Sequence, residues 1–463
     1  MSFIHEIPFA KALQQGLLPL VLVLGGVTAR AGQTEEGLSE DWNLHGQYTM
    51  VTQWHGDFRA QYSGANSLTN RAAHATTNDA TLFLGYRLGP QTEFYMDPEL
   101  DQGYGLSDTL GVAGFTSGAA YKVGIRDPYG RMPRMFIRQV VDLGGEVQQL
   151  ESDANQLAGP RTADNLTFTL GKMSVVDIFD NNKYAHDTRG DFLNWSILDA
   201  GAFDYAADAW GFSYGAAVEW NQGDWTWRNG LYDLSNKPNS TTLEINFRQF
   251  EVVSELEHRH VWAGHPGAVK GLVFMNRGDM GSYQEALSLY QQDMLACLSE
   301  PNDTALTCGA PNTANVRRYA SRLGWAFNLE QELTTSVGVF AKVSMNQGDK
   351  EAFEFTEINQ SVAMGTVVKG DFWQRADDSV GVAYVQNGLS NQAKAYFAAG
   401  GMGILIGDGA LTYGSERIFE TFYNWQATKG LALALDFQHI VNPGYNQARG
   451  PVSVTGLRLH AEF

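Results

Sequence analysis

Apolar residues recur at every second position over most of the chain, so the pattern predicts strands rather than amphipathic helices. At the C-terminal end Leu457, Leu459, Ala461 and Phe463 alternate with Gly456, Arg458, His460 and Glu462. The segment before it repeats this, with Leu431, Leu433, Leu435 and Phe437 against Ala432, Ala434, Asp436 and Gln438. Phe419, Tyr423, Trp425 and Ala427 alternate with Glu420, Phe422, Asn424 and Gln426. Leu323, Trp325, Phe327 and Leu329 alternate with Gly324, Ala326, Asn328 and Glu330. Near the other end Trp42, Leu44, Tyr48 and Met50 alternate with Asn43, His45, Gln47 and Thr49. Further strands are expected at 80–88, 166–170, 216–220 and 380–385. Each has one apolar face and one face of small, polar or charged residues.

The connections differ in length. Thr428-Lys429-Gly430 is a very short turn, whereas 442–451 is a longer polar loop. Alternating short and long connections describe an up-and-down barrel whose two ends meet different surroundings. An aqueous sandwich also alternates, but here aromatics gather near strand ends on the apolar phase, as a membrane girdle requires. The chain also stops on an aromatic residue, as bacterial outer-membrane barrels do. The expected fold is an all-β, antiparallel transmembrane barrel. At about 27 residues per strand and connection it has about 16 strands, with long extracellular loops folded partly into the pore.

Composition supports this. Of 463 residues, 50 are glycine, 12% are aromatic and only 18% are charged, too aromatic for a disordered chain. The formal charge of −19 disfavours nucleic acid as a partner, because phosphate contacts need a basic surface. Lys11, the apolar run 17–24 and Ala29-Arg30-Ala31 read as a signal peptide over 1–31, cleaved after Ala31, with 32–463 forming the barrel. No later run of about 18 apolar residues is present to make a membrane-spanning helix. Cys297 and Cys308 are too few for a disulfide framework or a tetrathiolate zinc site. They lie in a long loop, 282–315, whose start tolerates helix. In an oxidising compartment they close one small ring; two free thiols are the alternative.

Candidate chemistry is concentrated in two segments. In 126–138, Arg134 and Arg138 share a strand face with Phe136, while Met135 and Ile137 take the other face. A lipid-facing arginine at mid-membrane costs roughly 2–4 kcal/mol, so both are expected in the lumen. Their fixed donors suit hydroxyl-rich ligands as well as carboxylates. The competing reading is a salt-bridge ladder that only neutralises the lumen. In 93–101, Glu93, Tyr95 and Asp97 share a face. Carboxylates facing arginines make a constriction with a transverse field and little net charge, which binds neutral polar solutes while aromatics stack on a sugar's C–H face. Two such carboxylates also resemble a glycosidase pair, but no nucleophile, base and orienting partner form a catalytic set. His258, His260 and His265 have no third ligand at a convincing spacing and read as a polar strand end, so no metal or other cofactor is expected. Gly401, Gly403 and Gly407 do not match a dinucleotide fingerprint and read as a glycine-rich strand and turn.

Several stretches resemble the carbohydrate-selective porins of the OprB family. They are 94–99 (Phe-Tyr-Met-Asp-Pro-Glu), 111–115 (Gly-Val-Ala-Gly-Phe), 136–139 (Phe-Ile-Arg-Gln) and, most specifically, 170–187 with 191–195 and 204–208. Near the C-terminus, 420–425 and 439–443 are also similar to that family. The resemblance implies a 16-stranded channel of the bacterial outer membrane that passes glucose-like sugars by diffusion. Arg131 of the arginine segment, and Lys172, Asp177, Asp180 and Trp195 of the resembling stretches, join Glu93, Tyr95, Asp97, Arg134 and Arg138 as expected constriction residues. Expected partners are monosaccharides or small oligosaccharides, outer-membrane lipid and lipopolysaccharide; both a homotrimer and a monomer are compatible. A general or acidic-solute porin is the alternative function, and an outer-membrane barrel enzyme a more distant one.

Overall fold

In a computed structural model the protein is described over residues 39–120, 124–299 and 309–463. Among these, sixteen antiparallel strands form one closed barrel. They are β1 (Trp42–His55), β2 (Ala73–Gly89), β3 (Thr92–Gly103), β4 (Tyr129–Leu150), β5 (Gly159–Met173), β6 (Ser213–Gln222), β7 (Trp225–Asp233) and β8 (Phe250–Trp262). The second half comprises β9 (His265–Met280), β10 (Arg318–Thr334), β11 (Val337–Asn346), β12 (Gln360–Gly370), β13 (Arg375–Gly388), β14 (Glu416–Thr428), β15 (Leu431–Val441) and β16 (Val452–Glu462). Each strand pairs with its neighbours in sequence, and β1 pairs with β16 to close the sheet, with Met50 opposite Leu459 and Thr52 opposite Leu457. Among the described residues no helix is long and apolar enough to cross a membrane. The spanning elements are the strands.

The alternation read from the sequence sorts inside from outside. Arg458 is buried while Leu435, Phe437, Phe419 and Trp425 are exposed on the outer surface. A water-soluble protein rarely leaves so continuous an apolar surface uncovered, whereas a barrel presents it to lipid. Trp42, Tyr86, Trp220, Trp225, Trp262, Phe372 and Trp425 are exposed at the ends joined by short turns and form the girdle on that side. Short turns mark the periplasmic end. There the connections are 90–91, 151–158, 223–224, 263–264, 335–336, 371–374 and 429–430.

The long extracellular connections fold into the barrel mouth. Tyr283, Phe353, Ile358, Tyr396, Phe397, Leu405 and Tyr445 pack there as a buried apolar cluster. Among the described residues three α-helices sit in the loops: α1 (Trp195–Leu198), α2 (Tyr283–Ser299) and α3 (Asn391–Ala398). α2 occupies the helix-tolerant start of 282–315. Cys297 on α2 is disulfide-bonded, while Cys308 lies outside the described residues, as does the expected signal peptide 1–31. The glycine-rich segment 401–407 is an irregular loop and contains no strand, which corrects that part of its reading. The reason is local: the Glu357 carboxylate turns the backbone inward by accepting from the amides of Ile404 and, at 3.3 Å, Leu405.

Candidate functional site: a charged and aromatic passage through the lumen

A cavity of about 1100 Å³ runs inside the barrel, lined chiefly by β4, β5 and β6 with Arg259 of β8. Its lining begins at the extracellular loops with Asn239, Phe355 and Leu405 and ends at the periplasmic turn with Gly223 and Asp224. It therefore extends along the barrel axis.

Antiparallel pairing places the carboxylate face of β3 beside the arginine face of β4. Glu93 is opposite Arg138, Asp97 opposite Arg134, and Glu99 opposite Arg131. Arg131 contacts Glu99 at 2.5 Å and also Asp101. Arg134 grips Asp177 with two donors, at 2.7 and 2.6 Å, and stands 4.0 Å from Asp97. Glu93 meets Arg87 at 3.1 Å and Arg161 at 3.7 Å. The Arg138 guanidinium lies 5.0 Å over the Tyr95 ring and 5.3 Å over that of Phe136, and donates to the Asn155 carbonyl at 2.9 Å.

Four of the ten expected constriction residues line the cavity: Arg134, Arg138, Asp177 and Trp195. Glu93, Tyr95 and Asp97 are buried in the wall behind them, where they hold the arginines. Arg131 packs under Phe212, 5.1 Å from its ring. Asp180 is buried in loop 174–212; it caps the Ala200 amide at 2.6 Å and accepts from Asn328 at 2.9 Å. Lys172 has the same alternation phase as the exposed Phe168 and Leu170, so its stem starts outside the barrel. Its ammonium turns over the rim to Asp208 at 3.6 Å. Both ladder and passage are thus present, in adjacent layers.

Loop 174–212, which joins β5 to β6, narrows the lumen. It starts with a tight turn in which Ser174 and Asp177 cap each other. Farther on, Arg458 of β16 holds it by donating to the carbonyls of Thr188 (2.6 Å), Asp191 (2.7 Å) and Gly190 (3.1 Å). Glu420 of β14 accepts from the Asn194 amide at 3.0 Å, and Asn194 caps α1. This positions Trp195, stacked on Phe115 with ring centres 5.2 Å apart and planes at 18°, as an aromatic face on the cavity. Tyr205 donates to Asp199 at 3.2 Å; burial, then the charge of Asp180, pushes the Asp199 carboxyl up to about 7.

Other lining residues were not expected from sequence: Arg161, Arg189, Trp210, Phe212, Glu219 and Arg259. Arg161, Glu219 and Arg259 have the inward phase of their strands, so alternation offered a signal. Trp210 and Phe212 are brought in by the fold of the loop, which leaves no periodicity to read. His258 and His260 face outward, with the His258 ring tilted at 46° against Trp225, 4.4 Å between ring centres, in the periplasmic girdle. Among the described residues no group of three metal-binding side chains occurs.

A family model described as carbohydrate-selective porin, OprB family, matches residues 65–463. Among curated protein sequences none matches. Among solved structures, Pseudomonas putida OprB at high pH is similar at 14% identity and a TM-score of 0.66, covering 91% of this chain and 94% of that one. The outer-membrane channel DcaP of Acinetobacter baumannii is similar at 10% identity and a TM-score of 0.50, covering 92% of this chain and 99% of that one. At these identities the structural likeness speaks to the barrel fold.

Proposed function

This chain belongs to the carbohydrate-selective porin OprB family, and we propose that glucose-sized sugars cross it through the cavity beside β4, guided by Arg134, Arg138, Asp177 and Trp195. The protein is an outer-membrane sugar channel and not an enzyme. The observation that best supports this route is that an aromatic face, Trp195 on Phe115, lines the same cavity as guanidinium and carboxylate groups. A pyranose offers an apolar C–H face to the aromatic ring and hydroxyls to the charged groups.

Opposed charges along the wall leave little net field, so a neutral polar solute is favoured over either ion. At about 1100 Å³ the cavity is comparable with the roughly 300–1,000 Å³ pockets that hold small molecules. Transport is passive: binding must be weak enough for exit, and no step is coupled to energy. On the outer surface we propose that lipopolysaccharide covers the extracellular half of the apolar band; homotrimer and monomer are distinguished by the mass of the detergent complex.

The test is ion current through single channels in planar bilayers with glucose added. Glucose should block the wild-type current reversibly. Arg134→Ala with Arg138→Ala should weaken the block by about 1–3 kcal/mol per set of lost hydrogen bonds, while conductance stays similar or rises. A folded double mutant with unchanged glucose block would move sugar recognition elsewhere in the lumen.

A further inference from the structure

The periplasmic connection 151–158 is longer than the turns beside it, and it turns up into the barrel. The bend has a local cause. The pairing of β4 with β5 is interrupted between Asp142 and Gly144 and again between Gly144 and Val147. Gly144 and Gly145 have φ of +108° and +82°, a region other residues enter at a cost. Beyond the bend, Leu150 still pairs with Gly159. The tip is a tight turn in which Asp153 and Gln156 exchange backbone hydrogen bonds of 3.0 Å, with Asn155 at φ +58°.

The tip is held inside by polar contacts on several strands. Asn43 of β1 donates to the Gln156 carbonyl at 2.8 Å and to the Ser152 hydroxyl at 3.1 Å. Asn155 donates to Asp97 of β3 at 2.9 Å and accepts from Arg138 of β4 at 2.9 Å. The Leu157 amide donates to the Tyr95 hydroxyl at 3.2 Å, and the Leu157 side chain is buried. Asp97 is five residues above the periplasmic start of β3, roughly 17 Å along the strand, so the tip reaches well into the spanning part of the barrel. Across the passage, Glu219, Asn221 and Arg259 line the same cavity as Asp153, Ala154 and Asn155.

We propose that this hairpin is a fixed exit filter: a second, periplasmic constriction that sets the largest sugar able to leave the channel, with Asp97 and Arg138 as the positioning residues that hold Asn155 in place. The proposal rests on the sugar route described above. It assigns size selection at the exit to the hairpin and sugar contact to the place where Arg134 and Arg138 of β4 meet Asp177 and Trp195 of loop 174–212.

The experiment replaces 151–158 by Asn-Gly, a two-residue turn that joins strands still paired at Leu150 and Gly159. Barrel formation is checked by the shift of the folded band on heating in SDS. Single-channel conductance should rise about two-fold or more, and in liposome swelling a disaccharide should gain on glucose, because a wider exit relieves the larger solute more. A folded variant with unchanged conductance and an unchanged disaccharide-to-glucose ratio would overturn the proposal. In the full-length chain, Asn43→Cys with Ser152→Cys should cross-link on oxidation and leave conductance as it was; failure to cross-link in a folded barrel would place the tip elsewhere and also overturn it. A wild-type channel whose current glucose does not block would instead count against the wall contacts.

Discussion

Arg134 shows what one side chain does in this lumen. Its two donors on Asp177 fasten the start of loop 174–212 to the wall, and Asp177 is held in turn by the Ser174 amide at 2.9 Å. Arg134→Lys should not restore the grip lost in Arg134→Ala, since a single ammonium does not match a carboxylate with two parallel bonds. Both variants should show noisier, larger current than wild type in bilayers, with alanine the more severe. Asp199 supplies a pH dependence. Its carboxyl is raised to about 7 in the folded protein, against about 3.9 for an ordinary aspartate, so the folded state binds the extra proton. The stability that this carboxyl contributes should therefore be fully present below about pH 4 and be lost as pH rises through about 7. Asp199→Asn should flatten this dependence, seen as an unfolding temperature in detergent that differs less between pH 5.5 and pH 8 than that of wild type.

Among the elements, legibility followed what each strand faces. β14, β15 and β16 could be read directly because lipid lies on one side and small or charged groups on the other. β9 could not, because Leu272 and Phe274 on its inward phase are buried against other side chains in the lumen while Val273 faces outward. Apolar residues on both phases erase the period of two. In β12 the inward Ser361 and Ala363 are small and the outward Val362 and Met364 are exposed, a weak contrast because no charged or aromatic residue marks either face there. Arg134 and Arg138 were legible as one face because β4 alternates from 134 to 138, whereas the register shift between Asp97 and Glu99 brings Arg131, of opposite phase, onto the same ladder. The inner layer was not legible, because loop 174–212 and hairpin 151–158 are placed by contacts between distant residues. α2 carries a further prediction: Cys297 is disulfide-bonded, and pairing with Cys308 would close a ring of about 12 residues worth up to about 3 kcal/mol. Thiol labelling of the unfolded, unreduced chain should fail, and ready labelling of both cysteines would refute that pairing.

At the scale of the whole molecule, the barrel depends on one seam that is not local in sequence. β1 and β16 lie at opposite ends of the chain and pair from Gln47 opposite Glu462 to His55 opposite Val454. The final residue extends this seam: Phe463 donates to the Gly46 carbonyl at 3.0 Å and accepts from the Gly46 amide at 3.1 Å. The side chains of this pair lie on the lipid side, where the Phe463 ring covers Gly46. A Cβ on Gly46 would stand 2.4 Å from the ring, well inside van der Waals contact. Glycine at this position therefore forms the notch that receives the terminal aromatic. Gly46→Leu should force the ring away and cost about 1–3 kcal/mol, the usual range for overpacking. Phe463→Ala, which leaves the backbone bonds possible and only empties the notch, should cost less. The readout is the fraction of folded barrel surviving a temperature series in SDS, with the order wild type, Phe463→Ala, Gly46→Leu. The double variant should recover part of the loss of Gly46→Leu, because the smaller terminal residue makes room for the new side chain. Equal stability of Gly46→Leu and wild type would mean that the seam closes without this contact.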